Sequence, residues 1–155
     1  VNRKITIFVD ADACPVKEEI RTIAAGFDAV PVFVASYAAF HSDSGSKWVF
    51  VDQRKEEADL YIVNHACPGD IVVTQDMGLA GLLTVRGIYV LSVRGALISE
   101  TRIAAILHRR YLAYKSLRSG RKVRGPAAFT GQNRRNFSDA LTNLLCRLVK
   151  QDINK

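Results

Sequence analysis

Four aspartates in this chain of 155 residues stand where a carboxylate has chemistry to do. Asp10 and Asp12 close the apolar run Ile5–Val9 in the segment ITIFVDADAC. Asp76 comes two residues after a second apolar run, Ile71–Thr74 in IVVTQD, and Asp59 lies in EADLYIV ahead of that run. Ligands of an open α/β sheet gather beyond the carboxyl ends of its strands. If the two runs are neighbouring strands, three acids share one rim, with Asp59 as a fourth candidate. Carboxylates ~4 Å apart repel by about 4 kcal/mol per pair at an effective dielectric near 20, so such a group must hold a proton, a cation or an arginine. Mg2+ and Mn2+ suit an all-oxygen donor set. An ion held this way can generate hydroxide and stabilise the transition state of phosphodiester hydrolysis.

Three of the four acids also have an ordinary structural use. Asp12 can cap a helix starting at Pro15, Asp76 can cap one over Met77–Val85, and Asp59 can be a first-turn charge favoured by the helix dipole. Asp10 has the least ordinary explanation, because an acid ending an apolar strand inside a sheet is costly to desolvate.

The sulfur-bearing residues point elsewhere less strongly. Cys14, Cys67 and Cys146 are odd in number and far apart, which fits free thiols in a reducing compartment. A zinc site would draw on Cys14, Cys67 and His65 or His41. No C-x-x-C or H-x-x-x-H pair supports it, and the i, i+2 spacing of His65 and Cys67 turns them to different faces of a helix. A catalytic Cys14 gains from a helix start, loses from the nearby aspartates, and has no basic partner in its vicinity along the chain.

The elements that would position these groups follow from periodicity. Ile5–Val9 reads as a strand buried on both faces. Pro15 suits the first position of a helix over Val16–Phe27. Ala29–Ala35 reads as a second strand, with Pro31 tolerable only near its start or on an edge. Ser36–Ser46 reads as loop and Trp48–Val51 as a third strand. A helix over Glu56–Ala66 is stopped by Cys67-Pro68-Gly69-Asp70, then Ile71–Thr74 is a strand, Met77–Val85 a helix closed by Gly87, and Ile88–Leu91 a fifth strand. This order predicts an open, mostly parallel α/β sheet of the doubly wound type. Ser99 then caps a long helix to about Leu117, residues 119–131 form a loop, and Arg134–Val149 is a last helix with Phe137, Leu141, Leu144, Leu145 and Leu148 on one stripe. One domain over residues 1–155 is expected, with a core at 1–98 and a basic helical region at 99–155.

Charge is divided unevenly along the chain. Residues 1–100 carry 9 basic and 13 acidic side chains, whereas residues 101–155 carry 13 and 2. The split suggests an acidic site on the sheet and a basic region facing a polyanion, the alternative being a solvated helix that aids solubility. Arg102, His108, Arg109, Arg110, Lys115, Arg118, Arg121, Lys122 and Arg124 crowd together with Tyr111 and Tyr114 interleaved. Arg109, Arg110, Arg121 and Lys122 are candidates to neutralise phosphates, and tyrosines can stack on unpaired bases. Helical spacing with Leu107 makes the two tyrosines core positions more readily. Arg94, in SVRG, follows the fifth strand and is closer to the acids, to hold a phosphate or pair with an aspartate. No apolar run reaches the ~18 residues of a membrane span, and the start of the chain lacks a secretory pattern, so a cytoplasmic protein without a membrane partner is expected.

The motifs VDADACPVK, EADLYIV, PGDIVVTQDMGLA, SVRG and GPAAFTGQNRRNF, in this order, resemble the YaiI/YqxD-like family of uncharacterised bacterial proteins, within the PIN-like nuclease superfamily. The resemblance spans Ile5 to Leu145. It implies a PIN-like three-layer α/β/α sandwich with C-terminal helices, and a metal-dependent nuclease acting on RNA. Metal-dependent PIN nucleases carry acids after the first strand, near the helix before the fourth, and in a Thr-x-Asp pattern after it. The matching positions are Asp10, Asp59 and Asp76 as ligands of Mg2+ or Mn2+, with Thr74 as the accompanying hydroxyl. Asp12 belongs to the DAD signature of the narrower family. A typical PIN enzyme also has a glutamate on an early helix, where Glu18 or Glu19 could stand. The family pattern F-T-x-x-D-R-x-x-F has Asn133 in place of its Asp here, which preserves a capping role and weakens a metal-binding one.

Two other functions stand beside the nuclease. One is a non-catalytic nucleic-acid-binding module of the same fold. The other is a haloacid-dehalogenase-like phosphatase, in which Asp10 attacks phosphorus and Asp12 acts as the acid. That class wants Thr or Val where Cys14 stands, and a Gly-Asp after a later strand, whereas Gly69-Asp70 precedes one.

Overall fold

The computed structural model describes residues 3–36, 46–54, 56–120 and 127–153. Six strands are present: β1 Thr6–Asp10, β2 Val30–Ser36, β3 Lys47–Val51, β4 Ile71–Val73, β5 Tyr89–Leu91 and β6 Leu97–Ile98. They form one sheet in the order β3-β2-β1-β4-β5-β6, parallel except for β6. The helices are α1 Lys17–Gly26, α2 Glu57–His65, α3 Met77–Thr84, α4 Glu100–Arg118 and α5 Gly131–Ile153.

Alternation inside the apolar runs divides the core between the two faces of the sheet. Ile7, Val9, Phe33, Ala35, Ile71 and Val73 meet α1 and α5 on one side, against Ile20, Ala24, Phe137 and Leu141. Phe8, Val32, Val34, Val72 and Val90 meet α2, α3 and α4 on the other, against Ile62, Leu83 and Ile103. The result is a three-layer α/β/α sandwich. Phe137, Leu141, Leu144, Leu145 and Leu148 are all buried, each contributing about 1.5–3 kcal/mol. The last helix is therefore one of the layers that close the core, even though it sits in the basic part of the chain.

Pro31 shows how local chemistry meets topology. β2 is an internal strand, flanked by β1 and β3. The Val30 N–H donates to Ile5 on the β1 side, so position 31 turns its nitrogen toward β3. The pairing with β3 begins only at Val32, and the missing N–H of proline costs no ladder bond.

Two expectations are corrected. Pro15 does not open a helix: a short 3-10 turn, Ala11–Ala13, leads off β1 and α1 begins at Lys17. Tyr111 and Tyr114 are not core residues. They are 58% and 59% exposed, and among the residues of α4 only Ile103 is buried. The antiparallel β6 has too few residues to show a period. Among the described residues, no helix is long and apolar enough to cross a membrane.

Candidate functional site

The reversal of strand order falls between β1 and β4, which pair directly through Ile7–Ile71, Phe8–Val72 and Val9–Val73. Asp10 ends β1, and Thr74 follows β4 beside it. The buried Thr74 hydroxyl donates to Asp10 Oδ2 at 3.3 Å and accepts from the Asp76 N–H at 3.0 Å. Asp76 Oδ1 accepts from Leu79 N at 3.1 Å, capping α3. Gly78 leaves room for this: a Cβ there would come within 3.2 Å of Asp76 Oδ1. Capping and membership of the acidic group thus coincide in Asp76, and Thr74 acts as the tie between two carboxylates.

Asp59, in the first turn of α2, completes the group. Its pKa is pushed up to about 6, first by burial, then by the Asp76 carboxyl, and then by Asp10 and Glu56. Asp10 is likewise raised, chiefly by burial, with the Thr74 hydrogen bond opposing and Asp12 and Asp76 adding to it. Every charge that moves these two acids is another carboxylate.

The sign of the Asp59 shift yields a stability prediction. Its folded-state pKa exceeds its ordinary value of 3.8, so the folded protein binds this proton more tightly than the unfolded chain. Stability is lost as pH rises from about 4 to about 6. Asp59→Asn removes the charge with little change of shape, and is expected to stabilise by on the order of 1 kcal/mol at pH 7.5 after solvent screening. The gain disappears at pH 4. Urea denaturation at both pH values checks this, and an equal effect at both would rule out the acid pair as its source.

Asp12 stands at the same rim but is not a helix cap. Its Oδ1 accepts from Ser36 N at 2.9 Å, closing the end of β2, while Val16 precedes α1 without a side-chain cap. Neither early glutamate is among the charges acting on Asp10 or Asp59. Glu18 pairs with Arg21 in the same helix, and Glu19 pairs at 2.8 Å with Arg134 of α5. Asp70 lies at the opposite end of the sheet, ahead of β4. It is buried, accepts from Thr6 N and Cys67 N, and pairs with Arg3 at 2.7 Å. Its place in a breaker turn signalled no such role.

Beside the rim lies a cleft of about 340 Å³, lined among others by Asp12, Cys14, Lys17, Gln75, Arg94 and Phe129. Burial raises the Cys14 thiol above its usual range, only partly opposed by the Val16 backbone hydrogen bond and Lys17. Arg94 has a structural commitment. Its guanidinium donates to Asn133 Oδ1 at 3.0 Å and to the Ala127 carbonyl, and lies over the Phe129 ring. Asn133 in turn forms a reciprocal pair with Thr130: its Oδ1 accepts from Thr130 N at 3.0 Å, and its N–H donates to Thr130 Oγ1 at 3.1 Å. Asn133→Asp would convert the Arg94 contact into a charge-assisted bond at a helix start, and is expected to stabilise by about 0.5–1 kcal/mol. Thermal unfolding at low salt checks this, and a destabilised variant would contradict it.

The remaining basic candidates lie apart from the acids along the chain. Arg109 and Arg110 are exposed on α4, and Arg121 and Lys122, with Arg124 and His41, fall outside the described residues. Among the described residues, no three His, Cys, Asp or Glu side chains converge closely enough to cage a metal ion. Cys67 Sγ instead donates to the His65 carbonyl, and His65 Nδ1 meets the Tyr61 carbonyl at 2.8 Å.

Sheet order and rim together define a doubly wound α/β/α protein with an acidic group at its switch point. The family model described as "Uncharacterized BCR, YaiI/YqxD family" matches residues 8–147, and the chain belongs to that family. It is 45% identical to a UPF0178 protein of Bacillus cytotoxicus over 139 residues, covering 90% of this chain and 91% of the relative. A UPF0178 protein of Bacillus velezensis is 47% identical over 142 residues (90% and 84%), and one of Shouchella clausii 45% over 149 (94% and 96%). No solved structure matches the chain.

Proposed function

We propose that this protein is a divalent-metal-dependent nuclease that hydrolyses phosphodiesters in RNA, in the cytoplasm. The observation that carries the reading is the gathering of Asp10, Asp59 and Asp76 at the switch point, with Thr74 tying two of them, where burial and then the neighbouring carboxylates push the Asp59 pKa up to about 6. A site that pays this cost is suited to a cation. The donors are all oxygens and too few for a closed cage, which fits Mg2+ or Mn2+ retaining much of its water and does not fit structural zinc. Asp59 and Asp76 would hold the ion, with Asp10 beside them. When bound, it would supply an activated water and neutralise charge on the phosphate. Thr74 keeps Asp10 and Asp76 in mutual register, and Lys17 on the cleft wall offers a cation to a neighbouring phosphate.

The test is incubation of the purified protein with single-stranded and structured RNA and DNA, with and without Mg2+ or Mn2+. Metal-dependent cleavage that is lost in Asp10→Asn supports the reading, and cleavage that persists unchanged in that variant sinks it. RNA binding without cleavage in any metal would leave a binding module. Turnover of small phosphomonoesters through an aspartyl-phosphate would instead identify a phosphatase.

A further inference from the structure

The long helix α4 is anchored near its start by Ile103 and the partly buried Ile106, and most of its later side chains are exposed. Ser99 caps it, Ile103 is buried against the core, and beyond that Leu107, Tyr111, Leu112, Tyr114 and Leu117 are 47–59% exposed. Five Lys and Arg residues share the helix with a single acid, Glu100. Arg110 and Arg118 are one turn to either side of Tyr114 on the same face, and the Arg118 guanidinium lies 5.9 Å from the Tyr114 ring centroid. Apolar rings and cations therefore alternate over one exposed surface.

We propose that the Leu107–Arg118 half of α4 docks an unpaired nucleic-acid strand, with Tyr111 and Tyr114 stacking on bases and the adjacent arginines on phosphates. The inference rests on the nucleic-acid reading above for its partner, and not on the hydrolytic chemistry. Charge complementarity selects the occupant. A second copy of α4 would set a strongly basic helix against another, and like charges would oppose the contact. A helix lying in a membrane surface separates an apolar side from a basic one. Here Arg102 and Arg109 point one way, Lys115 nearly the opposite way, and Arg110 and Arg118 lie among the tyrosines. A closed duplex would satisfy the arginines but leave the rings without bases to stack on.

The experiment is fluorescence anisotropy with labelled oligo(U) and with a blunt RNA duplex of equal length, using the full chain in EDTA so that no hydrolysis enters. The double variant Tyr111→Ala/Tyr114→Ala is expected to bind oligo(U) about ten- to a hundredfold more weakly and the duplex as the unaltered protein does. Arg110→Ala/Arg118→Ala should weaken both and flatten the salt dependence of oligo(U) binding by about 0.7 per charge removed. All four positions are exposed and alanine favours helix, so far-UV circular dichroism should be unchanged. Unaltered oligo(U) affinity in the tyrosine variant overturns the proposal, as does equal weakening on duplex. So does binding of that variant's parent to anionic vesicles but not RNA, or a dimer that the tyrosine substitutions dissolve. Intact binding without cleavage counts only against the nuclease, and cleavage with binding indifferent to the tyrosines only against this docking site.

Discussion

Asp10→Asn should lower metal-dependent phosphodiester turnover by roughly 10²–10³-fold while raising thermal stability at neutral pH. The two effects share one cause. Asp10 ends β1 partly buried, and its pKa is raised by that burial and by the charges of Asp12 and Asp76. Because the folded-state pKa lies above the ordinary value, the charged form is a liability to the fold, and stability falls as pH rises through and beyond 3.8. Asparagine has the same shape and can still accept from the Thr74 hydroxyl, but carries no charge to desolvate. Under the proposed function the same negative charge serves the cation and the phosphate reaction, so its removal costs turnover. A gain in stability with a loss of activity is the mark of a residue kept for function. Turnover and thermal midpoint measured on one preparation separate the possibilities. If both fall, Asp10 is structural; if turnover is unchanged, Asp10 is outside the chemistry.

Gly95→Ala is expected to destabilise the fold by about 2–4 kcal/mol, combining left-handed backbone strain with overpacking. Gly95 has φ +91°, and a Cβ there would stand 2.6 Å from the carbonyl carbon and oxygen of Asn136 and 2.9 Å from the Phe137 nitrogen. Those are backbone atoms of α5, and they cannot rotate away. The turn that joins β5 to β6 therefore rests directly on the helix whose apolar stripe closes the core. Gly69→Ala is the control. Its φ is +92°, yet nothing lies within 4 Å of the added Cβ, so only the strain of about 1–2 kcal/mol should appear. Urea unfolding of both variants yields the difference. Equal costs would mean that α5 does not press on the turn. A larger cost at Gly95 should be accompanied by loosening of the first turns of α5, where Arg94 grips Asn133 and Phe129 borders the cleft.

Much of the architecture was legible because its causes are local. Apolar runs of β-branched residues mark β1, β2 and β4, breaker turns mark where α2 and α3 end, and an acid after an apolar strand signals a site through its desolvation cost alone. Adjacency of β1 and β4 follows from the usual winding of such folds, and with it the meeting of Asp10 and Asp76. Other features depend on contacts between distant segments. Asp12 can cap a helix or close a strand by its local sequence alone, and only the β1–β2 register brings the Ser36 N–H to it. Asp70 sits in a breaker turn whose sequence says nothing of Arg3 or Thr6. Arg94 reads as a free cation until the approach of α5 gives it Asn133 and Ala127.

The same division applies to the acids at the sheet's rim. Their identity and their places at strand and helix ends were written in the chain. The influence of Asp76 on Asp59 was not, because it requires α2 to pass close to the start of α3. The spacing of Leu107, Tyr111 and Tyr114 shows that they share a helix face, but whether that face is covered depends on what packs beneath it. Periodicity records which side chains point together. Burial is a property of the neighbours, and only the assembled sheet and helices supply them.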